Sequence, residues 1–261
     1  MKVLLLKKSF FVYTAILILA TAILLFSLSS ILQPDPIEKE LQLEEEENVR
    51  DHAAEEHEAF LEEAYKDKKL IALTFDDGPS KYSEQLVDEL KKRNVPATFF
   101  ILGSNAENKH ETLKFESDAG NEIGIHSYVH KLFTRLKDEE IEEQIDKTKN
   151  IITEATKIEP KLIRVPYGSL NNRVNSLLDK TQLTSVLWTV DSKDWKFRNT
   201  EKTYQYVMKK VKGNDIILMH DSYQTSVNAA LKIIDTLQSD GYTFVTVSEF
   251  LHIKDKMSIN T

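Results

Sequence analysis

The sequence contains no cysteine, and this absence excludes several kinds of structure at once. A chain without thiols forms no disulfide bonds and offers no thiolate ligand to a metal, so disulfide-stabilised scaffolds and thiolate metal sites are both excluded. The lipid-attachment residue of a bacterial lipoprotein is missing for the same reason. An absence of cysteine fits an exported protein but does not establish export.

The chain also lacks an excess of basic residues, because 42 acidic side chains outnumber 34 lysines and arginines and give a net charge of −8. Residues 33–68 carry 14 acids and 4 bases (−10), residues 1–32 carry +3, and residues 69–261 carry 28 acids and 27 bases (−1). Nucleic-acid binding proteins present a basic surface. We therefore expect no nucleic-acid partner, and a protein partner cannot be inferred from the sequence.

Charged residues are absent from Ser9–Leu32, a run of 24 positions. As a helix this run would be about 36 Å long, which is enough to cross a hydrocarbon layer of about 30 Å. Three lysines precede the run and many acids follow it, an asymmetry that places the amino terminus in the cytoplasm. The sequence thus predicts a cytoplasmic segment (1–8) and a single membrane anchor (9–32), with the remainder outside the cell membrane.

A cleavable signal peptide is the alternative, because Ala20-Thr21-Ala22 resembles a small-x-small cleavage site. That triplet lies inside the apolar run, however, and signal peptides usually have shorter apolar regions. Residues 33–68 follow the run and include four adjacent glutamates, a composition typical of a solvated acidic stalk or linker. We expect one catalytic domain over residues 69–252 and a short tail over residues 253–261.

Short apolar runs alternate with helix-like stretches after residue 69. The expected strands are Leu70–Phe75, Ala97–Leu102, Glu122–His126, Leu162–Val165, Ser185–Val190, Asp215–Met219 and Phe244–Val247. The expected helices are Ser83–Lys92, Asn105–Ala119, Asp138–Thr156, Val174–Lys180, Glu201–Val211 and Ser226–Ser239. Alternation of this kind predicts an α/β fold with a parallel sheet. About seven strands are too few for a full eight-stranded barrel, so we expect a distorted (β/α) barrel, with an open doubly wound sheet as the alternative.

Five polar clusters lie at or near the ends of these apolar runs, where parallel α/β folds gather their ligands. They are Thr74–Pro79, His126–His130, Arg164–Gly168, Asp191–Trp195 and Leu218–Asp221.

The first two clusters contain possible metal ligands. Asp76 and Asp77 are adjacent carboxylates, which repel each other unless a cation or arginine compensates. One can bind a metal while the other stays free as a base, although an ordinary turn is the simpler interpretation. His126 and His130 would face one point if they lay on a helical turn, and together with an aspartate they form a three-ligand site. Histidine pairs at this spacing also occur on helix surfaces without a metal.

The remaining clusters contain residues that can orient a base and supply an acid. Arg164 can pair with the metal-free aspartate or with a surface acid. His220 is a candidate general acid, and Asp194 can orient that histidine or cap a helix. Together the clusters indicate a metal-dependent hydrolase.

In this order and spacing, over about residues 69–251, the clusters resemble those of the polysaccharide deacetylases of carbohydrate esterase family four, the NodB-homology group. The resemblance implies that Asp76 is the general base and that Asp77, His126 and His130 bind a divalent metal, commonly zinc, with Co²⁺, Mn²⁺ or Ni²⁺ as alternatives. It also implies that Arg164 holds Asp76, that Asp194 orients the acid His220, that the Tyr167 backbone N–H binds the oxyanion, and that Trp195 and Leu218 line the acetyl pocket.

The predicted anchor makes the layout most similar to the peptidoglycan N-acetylglucosamine deacetylases of Gram-positive bacteria. This resemblance implies removal of N-acetyl groups from a cell-wall polysaccharide, with release of acetate. Chitooligosaccharides and acetylxylan stay open as substrates. A non-catalytic wall-binding module is a further alternative. So is a non-haem iron enzyme, since its metal site uses two histidines and one carboxylate.

Overall fold

The computed structural model of the chain describes residues 39, 41, 44, 45, 63–65 and 68–259. The predicted cytoplasmic segment (1–8), the predicted anchor (9–32) and most of the predicted stalk (33–68) lie outside these residues. Residues 39, 41, 44 and 45 are helical and belong to a first unit, residues 1–60. None of the helices among the described residues is both long and apolar enough to cross a membrane.

The second unit, residues 61–261, carries alternating strands and helices. Its strands are β1 (Lys69–Gly78), β2 (Thr98–Ile101), β3 (Glu122–Ile125), β4 (Leu162–Ile163), β5 (Thr184–Ser185), β6 (Val190–Asp191), β7 (Asp215–His220) and β8 (Tyr242–Val245). The helices that follow β1 are α1 (Ser83–Lys92), α2 (Gly103–Ala106), α3 (His110–Asp118), α4 (Asp138–Thr156), α5 (Asn172–Lys180), α6 (Asp194–Phe197), α7 (Thr200–Met208), α8 (Gln224–Ser239) and α9 (Val247–Ile259). Two 3₁₀ turns cover Phe133–Arg135 and Pro166–Gly168.

Every strand pairing in the described sheet is parallel, in the order β5-β4-β3-β2-β1-β7-β6. β8 pairs with the first four residues of β1, and β2 pairs with the last part of the same strand. Within the described chain β5 and β6, the two ends of this order, do not pair with each other, so the sheet stays open there. The predicted α/β class and the incomplete parallel barrel are confirmed.

Alternation along β1 separates two apolar layers, since successive side chains of a strand point to opposite faces. Odd-numbered residues such as Ile71 and Phe75 lie in the larger cluster beneath the surrounding helices. Even-numbered residues such as Leu70 lie in the smaller inner cluster, which α9 closes with Phe250 and Ile253. α9 therefore continues as core helix beyond residue 252, the predicted end of the domain. Toward the carboxyl end of β1 the inner face continues with polar residues.

Two predicted elements are wrong. The stretch Ser185–Val190 is not one strand: only its ends pair, as part of β5 and of β6, because the carbonyls of Val186 and Leu187 accept hydrogen bonds from Arg164. The predicted helix Asn105–Ala119 is broken between α2 and α3. Lys109 leaves the helical region there (φ −134°, ψ 38°), and its Nζ donates to the Pro79 carbonyl at 2.6 Å, in the loop after β1.

Candidate active site

A β-bulge at the end of β1 separates the two adjacent carboxylates. Asp76 pairs with Phe100 and Gly78 with Ile101, which leaves Asp77 as the extra residue, with a left-handed φ of 72°. A bulge re-aims the side chain that it carries. As a result Asp76 is 2% exposed on the inner face, whereas the Asp77 side chain is 30% exposed at the mouth of the barrel.

Arg164 lies behind Asp76 and is fully buried. Its Nη1 donates to Asp76 Oδ1 at 2.8 Å and to Thr74 Oγ1 at 2.7 Å. Its Nε and Nη2 donate to the carbonyls of Val186 and Leu187, both at 3.2 Å, in the gap between β5 and β6. Burial lowers the pKa of Arg164, and the charge of Asp76 opposes that shift. The same guanidinium therefore fixes the position of Asp76, the candidate base, and donates hydrogen bonds to backbone carbonyls at the open edge of the sheet.

Asp77, His126 and His130 bring one carboxylate oxygen and two ring nitrogens within 4.8 Å of one another. Asp77 Oδ1 lies 3.6 Å from Nε2 of each histidine, and this buried oxygen has no hydrogen-bond partner among the described residues. His126 Nδ1 lies 2.6 Å from the Arg164 carbonyl, which can only accept, so Nδ1 carries the proton and Nε2 keeps its lone pair. Burial lowers the pKa of His126, and this effect outweighs the charges of Asp76 and Asp77, which raise it. The lowered pKa favours the neutral ring that a metal requires. These donors fit a divalent metal.

The two histidines do not lie on a helical turn, so that expectation is wrong. Residues 126–130 form a loop after β3, with left-handed φ values of 79° at Ser127 and 56° at His130. Ser127 Oγ accepts from the His130 N–H at 2.9 Å, and the Gly103 N–H donates to the Ser127 carbonyl at 3.0 Å. The loop, and not helical periodicity, brings the two imidazole rings to a centroid distance of 5.0 Å.

His220 ends β7 beside the same site. The parallel register pairs it with Asp76, so the two side chains share the inner face on neighbouring strands. Its Nδ1 lies 2.9 Å from Asp194 Oδ1, and its backbone N–H donates to Asp194 Oδ2 at 2.9 Å. Burial lowers the pKa of His220, but the hydrogen bond and charge of Asp194 outweigh it and raise the pKa to about 9. The raised pKa favours the charged imidazole, the form that can donate a proton.

Eight of the ten predicted site residues line one cavity of about 450 Å³; the other two are Arg164 and Asp194. Arg164 and Asp194 lie behind the wall as the buried partners of Asp76 and His220. Tyr167 is 66% exposed and its ring meets His130 edge-on at 4.5 Å, Trp195 is 47% exposed, and Leu218 is buried. A larger cavity of about 590 Å³ lies at the amino end of β8, and among the described residues it holds none of the predicted site residues.

The comparisons with known proteins agree with this geometry. A family model described as polysaccharide deacetylase matches residues 63–186, which include the metal-ligand candidates but not Asp194 or His220. Over 193 residues the chain is 36% identical to a peptidoglycan-N-acetylglucosamine deacetylase of Bacillus cereus, covering 72% of this chain and 90% of that protein. The chain belongs to the polysaccharide deacetylase family.

Two further comparisons place this polysaccharide deacetylase domain among its relatives. It is 43% identical over 188 residues to the peptidoglycan-N-acetylmuramic acid deacetylase PdaC of Bacillus subtilis, covering 72% of this chain. The chain spans about two fifths of the length of that relative, 40%. The solved structure of Bacillus subtilis PdaC matches with a TM-score of 0.70 and 40% identity, covering 74% of this chain and 95% of that one.

Three residues of the deacetylase cavity were not predicted. Trp188 lies inside the predicted strand Ser185–Val190, in the gap between β5 and β6, and the pattern of that segment gave no sign that it would reach the cavity. Asp191 and Lys193 belong to a polar cluster that was recognised, but only Asp194 and Trp195 were assigned roles there. Their position next to assigned residues was the signal that could have identified them.

Proposed function

We propose that this chain is a metal-dependent deacetylase that removes N-acetyl groups from the amino sugars of cell-wall peptidoglycan and releases acetate. One observation carries the proposal. The cavity combines three side chains that could hold a metal with an ion-paired carboxylate, Asp76, and an aspartate-bound imidazole, His220. Asp76 and His220 face each other in the register of neighbouring strands. Metal-assisted hydrolysis of an amide uses a cation for the carbonyl and the attacking water, a base for the water's proton and an acid for the departing amine.

Asp77, His126 and His130 would hold the metal, with zinc as the proposed ion because two imidazoles and a carboxylate are ligands that zinc accepts. Bound there, a divalent metal supplies Lewis acidity, which polarises the acetyl carbonyl and lowers the pKa of the attacking water. Asp76 would not be a ligand. Its Oδ1 is taken by Arg164, which leaves Oδ2 as the proton acceptor.

The two proton transfers are divided between Asp76 and His220. Asp76 Oδ2 removes a proton from the water that attacks the acetyl carbon. His220 Nε2 then delivers a proton to the amine as the C–N bond breaks, while Asp194 at Nδ1 keeps the ring charged and oriented. The products are acetate and a free amino sugar.

Three residues around the cavity would bind the acetyl group. The backbone N–H of Tyr167 would donate to the developing oxyanion, as backbone donors do in acyl transfer. Leu218 and Trp195 offer apolar surface for the methyl group at the cavity wall. The left-handed φ of 63° at Tyr167 supports a functional role for its backbone, because strained residues concentrate at such sites.

We also propose that residues 9–32 anchor the enzyme in the cell membrane of a Gram-positive bacterium, with the catalytic domain outside. The uncharged run and its flanking charges support this. Sequencing the amino terminus of the protein in the membrane fraction tests it. A start at or near Met1 is expected, whereas a released protein that starts after Ala22 would identify a signal peptide.

The activity itself is tested by mass spectrometry of acetyl loss. Purified peptidoglycan, N-acetylchitooligosaccharides and acetylxylan are each treated with the protein, with and without a chelator. We expect chelator-sensitive acetyl loss, fastest with peptidoglycan. If acetyl loss were fastest with one of the other polymers, that polymer would replace peptidoglycan as the proposed substrate. Binding to peptidoglycan without acetyl loss from any polymer would instead indicate a non-catalytic wall-binding module.

A further inference from the structure

Four residues that line the cavity have a left-handed backbone although they carry a side chain. They are Asp77, His130, Tyr167 and Lys193, with φ values of 72°, 56°, 63° and 57°. This conformation is unfavourable for residues other than glycine, and it concentrates at functional sites, where the surrounding structure holds it in place. Three of these residues have a proposed part in metal or oxyanion binding. The fourth, Lys193, has none.

Asp191 accepts hydrogen bonds from both the backbone and the side chain of Lys193. Asp191 Oδ1 accepts from the Lys193 backbone N–H at 2.8 Å, and Asp191 Oδ2 accepts from Lys193 Nζ at 2.6 Å. The hydrogen bond with Asp191 also raises the pKa of the Lys193 ammonium, so the group stays charged. An ammonium has three donors, of which Asp191 takes one. The Lys193 side chain is 36% exposed, so solvent or a ligand can reach the other two.

The charges around the cavity make Lys193 distinctive. Among the described residues that line the cavity it is the single lysine or arginine, beside the carboxylates of Asp76, Asp77 and Asp191. Arg164 is buried behind Asp76, and four of its five N–H donors already bind acceptors of the protein. The Lys193 ammonium also lies 5.8 Å from the centre of the Trp195 ring, whose face is of a kind that packs against sugars. Besides the proposed metal and the His220 imidazole, which serve the reacting acetyl group, Lys193 is thus the cationic partner that the wall offers to an anionic substituent on a bound glycan.

We propose that Lys193 is a specificity-determining residue whose ammonium binds a carboxylate carried by the glycan near the reacting acetamido group. This inference rests on the proposed function and narrows its substrate class. The muramic acid units of a peptide-free peptidoglycan strand carry a free carboxyl group on their lactyl ether, and peptide-bearing units carry carboxylates on the peptide instead, whereas chitin and xylan backbones carry none. Lys193 therefore favours anionic peptidoglycan strands over neutral glycans of the same length.

The test compares Lys193→Met with Lys196→Met, a control that removes an exposed lysine of the same segment outside the cavity. Three ligands of equal length are used: peptide-free peptidoglycan oligosaccharides, the same oligosaccharides with their carboxyl groups converted to amides, and N-acetylchitooligosaccharides. Acetate release gives kcat/KM, and isothermal titration calorimetry gives the affinity independently of turnover. Peptide-bearing strands are added as a fourth ligand to distinguish the lactyl carboxylate from carboxylates of the peptide.

Lys193→Met should lower the affinity and kcat/KM for the carboxylate-bearing oligosaccharide by about tenfold, the worth of one charge-assisted hydrogen bond. Its effect on the amidated and neutral ligands should stay under about twofold, and Lys196→Met should change nothing by more than that factor. Equal losses on all three ligands, or equal affinity of the unsubstituted protein for the carboxylate and amide forms, would overturn the proposal. If no glycan loses acetate, the proposed function fails, while the calorimetric comparison still decides the role of Lys193.

Discussion

Replacing Arg164 with lysine tests whether one buried guanidinium holds both the candidate base and the open edge of the sheet. The substitution keeps the positive charge but removes the planar fork of donors. In the folded protein that fork connects Asp76 and Thr74 on β1 with the carbonyls of Val186 and Leu187 between β5 and β6. A single ammonium nitrogen cannot reach partners on both sides.

The expected cost follows from the contacts that lysine loses. Even if lysine retains the ion pair with Asp76, two carbonyls at 3.2 Å from the guanidinium lose a charged donor inside the protein. Hydrogen bonds to charged groups contribute about 1.5–3 kcal/mol each, so we expect a loss of about 3–6 kcal/mol for the two. That is a large share of the roughly 5–15 kcal/mol by which domains are stable.

Urea unfolding measures this loss, and Arg173→Lys is the matched control. Arg173 also donates to two backbone carbonyls, those of Phe133 and Leu136, but its side chain is 39% exposed and water can replace it. The control should change the free energy of unfolding by no more than about 1 kcal/mol. If Arg164→Lys were as mild as the control, the guanidinium would not hold the gap between β5 and β6.

Three further predictions concern protons and the metal. Asp194→Asn should move the alkaline limb of the kcat/KM profile to lower pH. Burial lowers the pKa of His220, and the hydrogen bond and charge of Asp194 are the main causes that raise it to about 9. An unmoved limb would assign the proton donor elsewhere. Glu116→Gln should raise the free energy of unfolding in urea, more at pH 8 than at pH 5. Burial and Asp221 raise the pKa of Glu116 well above its unfolded value, so its cost to the fold grows with pH above that value; an equal gain at both pH values would contradict this. His130→Ala should abolish most zinc binding in calorimetric titrations, since one of three protein ligands is lost, and unchanged affinity would make the histidine pair structural.

Local pattern was enough to predict much of the fold. The bounds of Ser83–Lys92 and Asp138–Thr156 match the observed helices, because each has an apolar stripe and an acidic first turn. The strands that carry Asp76, His126 and His220 were recognisable as apolar runs that end in polar residues. Since parallel strands bring their carboxyl ends to one edge, the assembly of the cavity followed from that pattern.

The features that escaped prediction depend on contacts distant in sequence. The segment Ser185–Val190 has the composition of a strand, but Arg164 takes the carbonyls that a neighbouring strand would have used. The bulge at Asp77 depends on the register between β1 and β2 and leaves no local trace. The spacing of His126 and His130 fits a helical turn as well as it fits the loop that the structure contains.

We propose that Asp76 acts as a base beside a metal that other residues hold, and this division of roles can be measured directly. Acetate release from purified peptidoglycan is measured for the unsubstituted protein and for Asp76→Asn, each loaded with zinc to a measured metal content. We expect equal metal content and a rate about 10²–10⁴-fold lower for Asp76→Asn. Equal rates at equal metal content, or loss of the metal from Asp76→Asn, would contradict it.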